Sequence, residues 1–190
     1  MKNRMYIAIL MALVGSSLAM ADLITFDNIY SGTEYLDIPD GYEGFNWDQF
    51  GVIHETFGAG PGYANGVVSG EYAAFNRQAH VATVNDGAFT FDGAWFTSAY
   101  DDTLNIGVIG YLGVDEKYNE NFSVNKFTPT LWSPSVDVGI DSLQFTSLNN
   151  GQHFVMDDMA VTKVPVPGAF LLGFIGLGFA GRQLRRRKTA

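Results

Sequence analysis

Between Asp22 and Lys163 the chain reads as an all-β, jelly-roll-like β-sandwich, and three observations lead there. Short runs rich in aromatic and β-branched residues recur along the whole stretch, broken by clusters of Gly, Pro, Asn and Asp. No run between these limits keeps a helical period. The stretch holds 142 residues, the size of one domain with a full core. The expected organisation is therefore a leader over 1–21, one sandwich ectodomain over 22–163 and a separate C-terminal element over 164–190.

Leu23 to Phe26 opens the first strand, and Asp27-Asn28 begins to end it. Ser31 to Gly44 carries Gly32, Pro39, Asp40-Gly41 and Gly44, which is turn chemistry, and reads as a loop over a sheet edge. Phe45 to His54 is a second strand with Gly51 as a candidate bulge. Gly58 to Gly70 is dense in glycine, but Pro61, Asn65 and Gly66 oppose the helix that a dinucleotide fingerprint requires, so it reads as a surface loop. Ala73–Phe75, His80–Val84, Ala88–Phe91 and Ala94–Tyr100 follow as short strands, with hairpin turns expected at Asn85-Asp86-Gly87 and Asp92-Gly93. Further strands are expected over 103–111, 114–118, 120–127, 140–145 and 153–162, with a loop between Pro129 and Pro134 around Trp132. Eight to eleven strands in all suit a sandwich.

Charge is distributed unevenly. All 20 acidic residues lie between Asp22 and Asp158, whereas only Arg77, Lys117, Lys126 and Lys163 are basic in 22–163, a formal charge of −16. A domain so acidic repels phosphate backbones, which excludes nucleic acid as a partner and favours divalent cations and neutral or cationic glycans. There is no cysteine. Disulfides, thiol catalysis and thiolate metal sites are thereby excluded.

The two ends read as addresses. Lys2 and Arg4, the apolar run Met5–Val14 and the small residues Ala19 and Ala21 form a Sec-type signal peptide with cleavage expected after Ala21. At the other end a lead of Val164, Pro165, Val166, Pro167, Gly168 and Ala169 passes into a glycine-rich apolar run that ends at Ala180. A basic stop follows, made of Arg182, Arg185, Arg186, Arg187 and Lys188. A helix over that run is only ~18 Å long against the ~30 Å hydrocarbon core, so it spans marginally, with the basic end cytoplasmic and everything before Val164 on the far side.

This tail resembles the PEP-CTERM sorting signal of exopolysaccharide-producing bacteria, with Val166 in place of the usual Glu. The resemblance implies recognition of the short hydrophobic helix by a membrane-embedded exosortase, transient residence in the inner membrane, and a destination at the cell surface or in the extracellular matrix. The ectodomain also resembles one that recurs with such tails. That likeness runs through Tyr63–Gly70, Ala74–Asn76, 94–111, Gly139–Phe145 and Phe154–Asp158. It implies a sandwich similar to carbohydrate modules and no specific activity. In jelly-roll carbohydrate modules the first and last strands are often neighbours and hold a structural Ca²⁺ through acidic residues, which Asp27, Asp157 and Asp158 resemble in type and position.

Hard carboxylate oxygens suit Ca²⁺. Because neighbouring strand residues face opposite sides, one of Asp157 and Asp158 must point inward and needs either a cation or hydrogen bonds. Sugar binding calls for exposed aromatics, for which Trp47, Tyr63 and Trp95 are the candidates, with Tyr100 and Trp132 behind them. Catalytic signatures are missing: His54, His80 and His153 have no HExxH spacing, and no serine lies in a GxSxG elbow. The expectation is a non-enzymatic, exopolysaccharide-linked binding or structural protein. The alternative is a small secreted glycan-active hydrolase or lyase, which needs two carboxylates about 5–9.5 Å apart.

Overall fold

Eleven strands form one hydrogen-bonded network in the computed structural model, which describes residues 21–29, 32–57, 60–148 and 151–163. In chain order they are β1 (Ala21–Ile24), β2 (Leu36–Asp37), β3 (Asn46–Asp48), β4 (Phe50–His54), β5 (Tyr72–Asn76), β6 (Ala82–Ser98), β7 (Leu104–Leu112), β8 (Asp115–Val124), β9 (Thr130–Trp132), β10 (Ile140–Ser147) and β11 (Phe154–Lys163). One short helix, α1 (Pro61–Gly66), interrupts them. Apart from Ala21, which opens β1 opposite Thr162, the expected leader and the whole C-terminal element lie outside the described residues. Among the described residues no helix is long and apolar enough to cross a membrane.

The network becomes a sandwich because β6 serves two sheets. Its first half pairs with β10 on one side and β3 on the other, and its second half with β11 and β9. One sheet thus runs β2-β4-β5-β11-β6-β9, with β1 extending along β11, and the other β3-β6-β10-β7-β8. Rings from strands that share no ladder meet between them: Phe50 of β4 on Phe145 of β10 at 6.1 Å, and Phe145 on Phe154 of β11 at 5.9 Å. Trp132 of β9 stacks on Phe122 of β8 at 4.6 Å and 7°, closing one side. The fold is a jelly-roll-like β-sandwich.

Aromatic burial holds it without disulfides. Phe26, Phe45, Phe50, Phe89, Phe91, Phe96, Phe145 and Phe154 are all buried in one core, each contributing about 1.5–3 kcal/mol over exposure. Trp47 belongs here too. It is 5% exposed, edge-on to Phe50 at 5.3 Å, and its indole N–H donates to the Tyr42 carbonyl.

Several expectations are corrected. Asn85-Asp86-Gly87 and Asp92-Gly93 are not hairpin turns but bulges inside β6. Asn85 to Phe89 takes four steps on β6 where Ser142 to Ile140 takes two on β10. Gly93 sits at φ 141°, where β6 takes two steps to one of β11. A residue tolerant of unusual φ signals a bulge as readily as a turn. The 114–118 and 120–127 runs join as β8, and the loop around Trp132 contains β9. The break in the second strand falls at Gln49 (φ 57°), not at Gly51. The expected surface loop at 58–70 contains α1, because Pro61 stands at the start of the helix, where its missing N–H costs nothing.

Candidate functional site: an aromatic cleft

The site begins with strands buried on both faces. Along β4, β5 and β11 the residues Val52, Tyr72, Ala74, Phe154 and Met156 point into the sandwich core, while their neighbours Ile53, Ala73, Phe75 and Val155 form a second apolar cluster on the outer face. Helix α1 covers that outer face. Its close approach depends on two glycines four residues apart on one helical side. A Cβ on Gly62 would lie 1.7 Å from the Ser98 carbonyl oxygen, and one on Gly66 would lie 2.5 Å from Thr97 Oγ1. The backbones lock directly: the Gly62 N–H donates to the Ala99 carbonyl at 3.1 Å, and the Thr97 hydroxyl to the Gly62 carbonyl at 2.9 Å.

The chain leaving α1 is held by Asp157. This carboxylate, 0% exposed on β11, accepts the N–H groups of Val68 (2.7 Å) and Ser69 (3.0 Å) on one oxygen and of Asp158 (2.7 Å) on the other. Asp158, at φ 50° in the adjoining bulge, accepts the Ser69 hydroxyl at 2.6 Å. Asp27 accepts the N–H groups of Glu71 and Tyr72 on one oxygen. Asp157 is therefore the inward member of its pair, and hydrogen bonds supply compensation for its burial. Burial nevertheless pushes its carboxyl up to about 7, with Asp158 adding to the rise and the three N–H donors opposing it. Among the described residues no group of three or more acidic or histidine side chains is arranged to hold a metal.

Tyr63 carries α1 into a cleft of about 220 Å³ beside this cluster. Its ring meets Phe57 at 5.4 Å, Phe75 at 5.9 Å and Tyr100 at 5.6 Å, all edge-to-face. Tyr35, 52% exposed, stands edge-on to Phe57 and Phe75, and Tyr100, 39% exposed, leans on His153 at 6.1 Å. The Tyr63 hydroxyl is hydrogen-bonded to His153 Nδ1. Burial raises the tyrosine and lowers the histidine, so at neutral pH this is a bond between uncharged groups. Arg77 and Gln78 complete the wall, with Arg77 Nη1 donating to Asp37 at 2.7 Å.

Of the sequence candidates, Tyr63 lies in the cleft. Trp47 is corrected to a core residue that presents no face to a ligand. Trp95, half-buried on β6 opposite Asp157 and Leu131, is not among the residues lining the cleft. Sequence reasoning missed Tyr35, Phe57, Phe75, Arg77, Gln78 and His153. Tyr35 alone carried a readable signal, an aromatic set among turn residues. The described lining contains no carboxylate, serine or threonine; the Asp37 carboxylate reaches it only through Arg77, so the lining presents no acid pair of the glycosidase kind, and its hydroxyls are those of Tyr35, Tyr63 and Tyr100.

No protein-family model matches the chain, and no curated protein matches it in sequence. Several solved structures are similar to it, three of them as follows. A mutant of CBM29-2, a family 29 carbohydrate-binding module, is 12% identical with a TM-score of 0.38, over 76% of this chain and 92% of its own. TmCBM61, solved with β-1,4-galactotriose, is 14% identical at 0.35, over 66% and 95%. The CBM22-1-GH10 modules of the Clostridium thermocellum xylanase 10B, solved with xylohexaose, are 10% identical at 0.38, over 79% of this chain and 29% of that one.

Proposed function

We propose that the ectodomain is a non-catalytic glycan-binding module, exported and then displayed at the cell surface or in the extracellular matrix in association with exopolysaccharide. The observation that carries the binding part is the cleft itself. Exposed Tyr35 and Tyr100 rings offer apolar faces to a sugar, Arg77 and Gln78 offer hydrogen-bonding groups at the rim, and the described lining holds no pair of carboxylates to cleave a glycosidic bond. Export rests on the leader, and sorting through an exosortase on the 164–190 tail.

Two experiments test this. Affinity electrophoresis of the full-length chain through gels cast with bacterial exopolysaccharide should show retardation that Tyr100→Ala weakens about tenfold. Release of reducing ends or unsaturated sugars by the pure protein would replace the binding reading with the hydrolase or lyase. A tagged chain followed in cells with and without exosortase should differ in size and location. Identical behaviour would leave the tail an ordinary anchor.

A further inference from the structure

Resting on the glycan-binding reading, we infer that the cleft takes one uncharged pyranose ring, recognised by the Arg77–Asp37 pair and Gln78, and that it rejects uronic acids. Size sets the first part. At about 220 Å³ the cleft is smaller than the ~300–1,000 Å³ of sites for drug-sized ligands. A volume of about 220 Å³ accommodates one pyranose ring with its hydroxyls, and further rings of a chain would lie outside.

Charge sets the second part. Arg77 is the one cationic side chain among the described lining residues, and a carboxylated sugar would be expected to seek it. Its guanidinium is already committed to Asp37 at 2.7 Å. A uronate arriving there would face the Asp37 charge at close range, within a stretch carrying a formal charge of −16 over residues 22–163. Neutral hydroxyls meet no such opposition, since the remaining guanidinium N–H groups donate to one oxygen while Asp37 accepts from its neighbour. Neighbouring hydroxyls on a ring match that donor–acceptor pair.

The rim is built to hold these groups in place. Gly51 lets the Arg77 stem and the Phe75 ring lie directly over β4, since a Cβ there would come within 3.1 Å of Arg77 Cγ and 2.6 Å of the Phe75 ring. Gln78 and Ala79 follow in left-handed conformations, at φ 52° and 56°. The turn is braced by the Arg77 N–H on the Gln49 carbonyl and the His80 N–H on the Arg77 carbonyl. A left-handed Gln78 is a conformation that few side chains adopt without local support. Here it places Gln78 in the cleft wall with Arg77.

The test is calorimetric titration of the full-length chain with glucose, galactose, mannose and xylose, their neutral trisaccharides, and glucuronate and galacturonate. At least one neutral monosaccharide should bind, its trisaccharide no more than about threefold tighter, and its uronate at least about tenfold weaker. Asp37→Asn should narrow the gap between neutral sugar and uronate about tenfold at unchanged melting temperature, because Arg77 would then carry a free charge. A uronate that binds as well as the neutral sugar, or a trisaccharide more than about tenfold tighter than its monosaccharide, overturns the inference while leaving glycan binding intact. Silence from every sugar, neutral and acidic, sinks the glycan-binding reading itself.

Discussion

Asp157 should make the fold less stable as pH rises through neutrality. In the unfolded chain its carboxyl titrates at its ordinary value of 3.8, and in the folded chain at about 7. Between these values the folded state holds a proton that the unfolded state has lost, so stability is greatest below about pH 4 and declines until about pH 7. The difference corresponds to about 4 kcal/mol, a large share of the 5–15 kcal/mol typical of a domain. Nineteen other acidic residues also titrate, so the measurement is a difference. Urea unfolding of the wild type and of Asp157→Asn at intervals from pH 4 to 8 cancels what the two share. Asparagine can still accept from Val68 and Ser69, but its amide then opposes the Asp158 N–H, so the variant should be the weaker protein at pH 4. The wild-type advantage should shrink by about 4 kcal/mol on going to pH 8. An advantage that stays flat or grows with pH would refute the reasoning. It would mean that the three N–H donors outweigh burial and keep the carboxylate charged.

Gly62→Ala should destabilise by about 1–3 kcal/mol or more in the same assay, although alanine gains about 1 kcal/mol in helix propensity, because its methyl meets the Ser98 carbonyl. Gly87→Ala, with no atom within 4 Å, is the control expected to change little. Tyr35→Ala and Tyr100→Ala should each weaken glycan retention about tenfold while leaving the melting temperature near that of the wild type. Trp47→Ala should cost about 3–5 kcal/mol by opening the core. Chelator should leave the melting temperature unchanged by scanning fluorimetry, since Val68, Ser69, Asp158, Glu71 and Tyr72 donate to the aspartates. A drop abolished by Asp157→Asn would instead put a calcium ion there.

The strands were legible because half-buried β-structure writes its period of two into the sequence, as in 104–112, where Leu104, Ile106 and Val108 are buried. Bulges were not, since Asn85-Asp86-Gly87 and Gly93 have the composition of turns and only pairing with β10 and β11 tells the two apart. Helix α1 was hidden for a related reason. Glycines 62 and 66 weaken a helix in isolation, and their value appears only against the backbone of Ser98 and Ala99 and the side chains of Thr97 and Val155. The need of one of Asp157 and Asp158 for compensation could be read from strand alternation. The cleft could not, because positions 35, 57, 63, 75, 77, 100 and 153 become neighbours only through the order of β4, β5, β11 and β6.

The place of β11 has a kinetic consequence. It is the last strand of the domain in sequence, yet it lies between β6 on one side and β5 and β1 on the other, and it supplies Phe154, Met156, Met159 and Val161 to the core. A chain lacking it has a gap through the middle of one sheet, and β1 has no partner. Folding must wait for residues near 163, and the closing step joins segments about 140 residues apart, as Ala21 and Thr162 are, which places the domain among slow, high-contact-order folders. A chain emerging from its N-terminus stays extended, and open to proteases and chaperones, until nearly all of it has appeared.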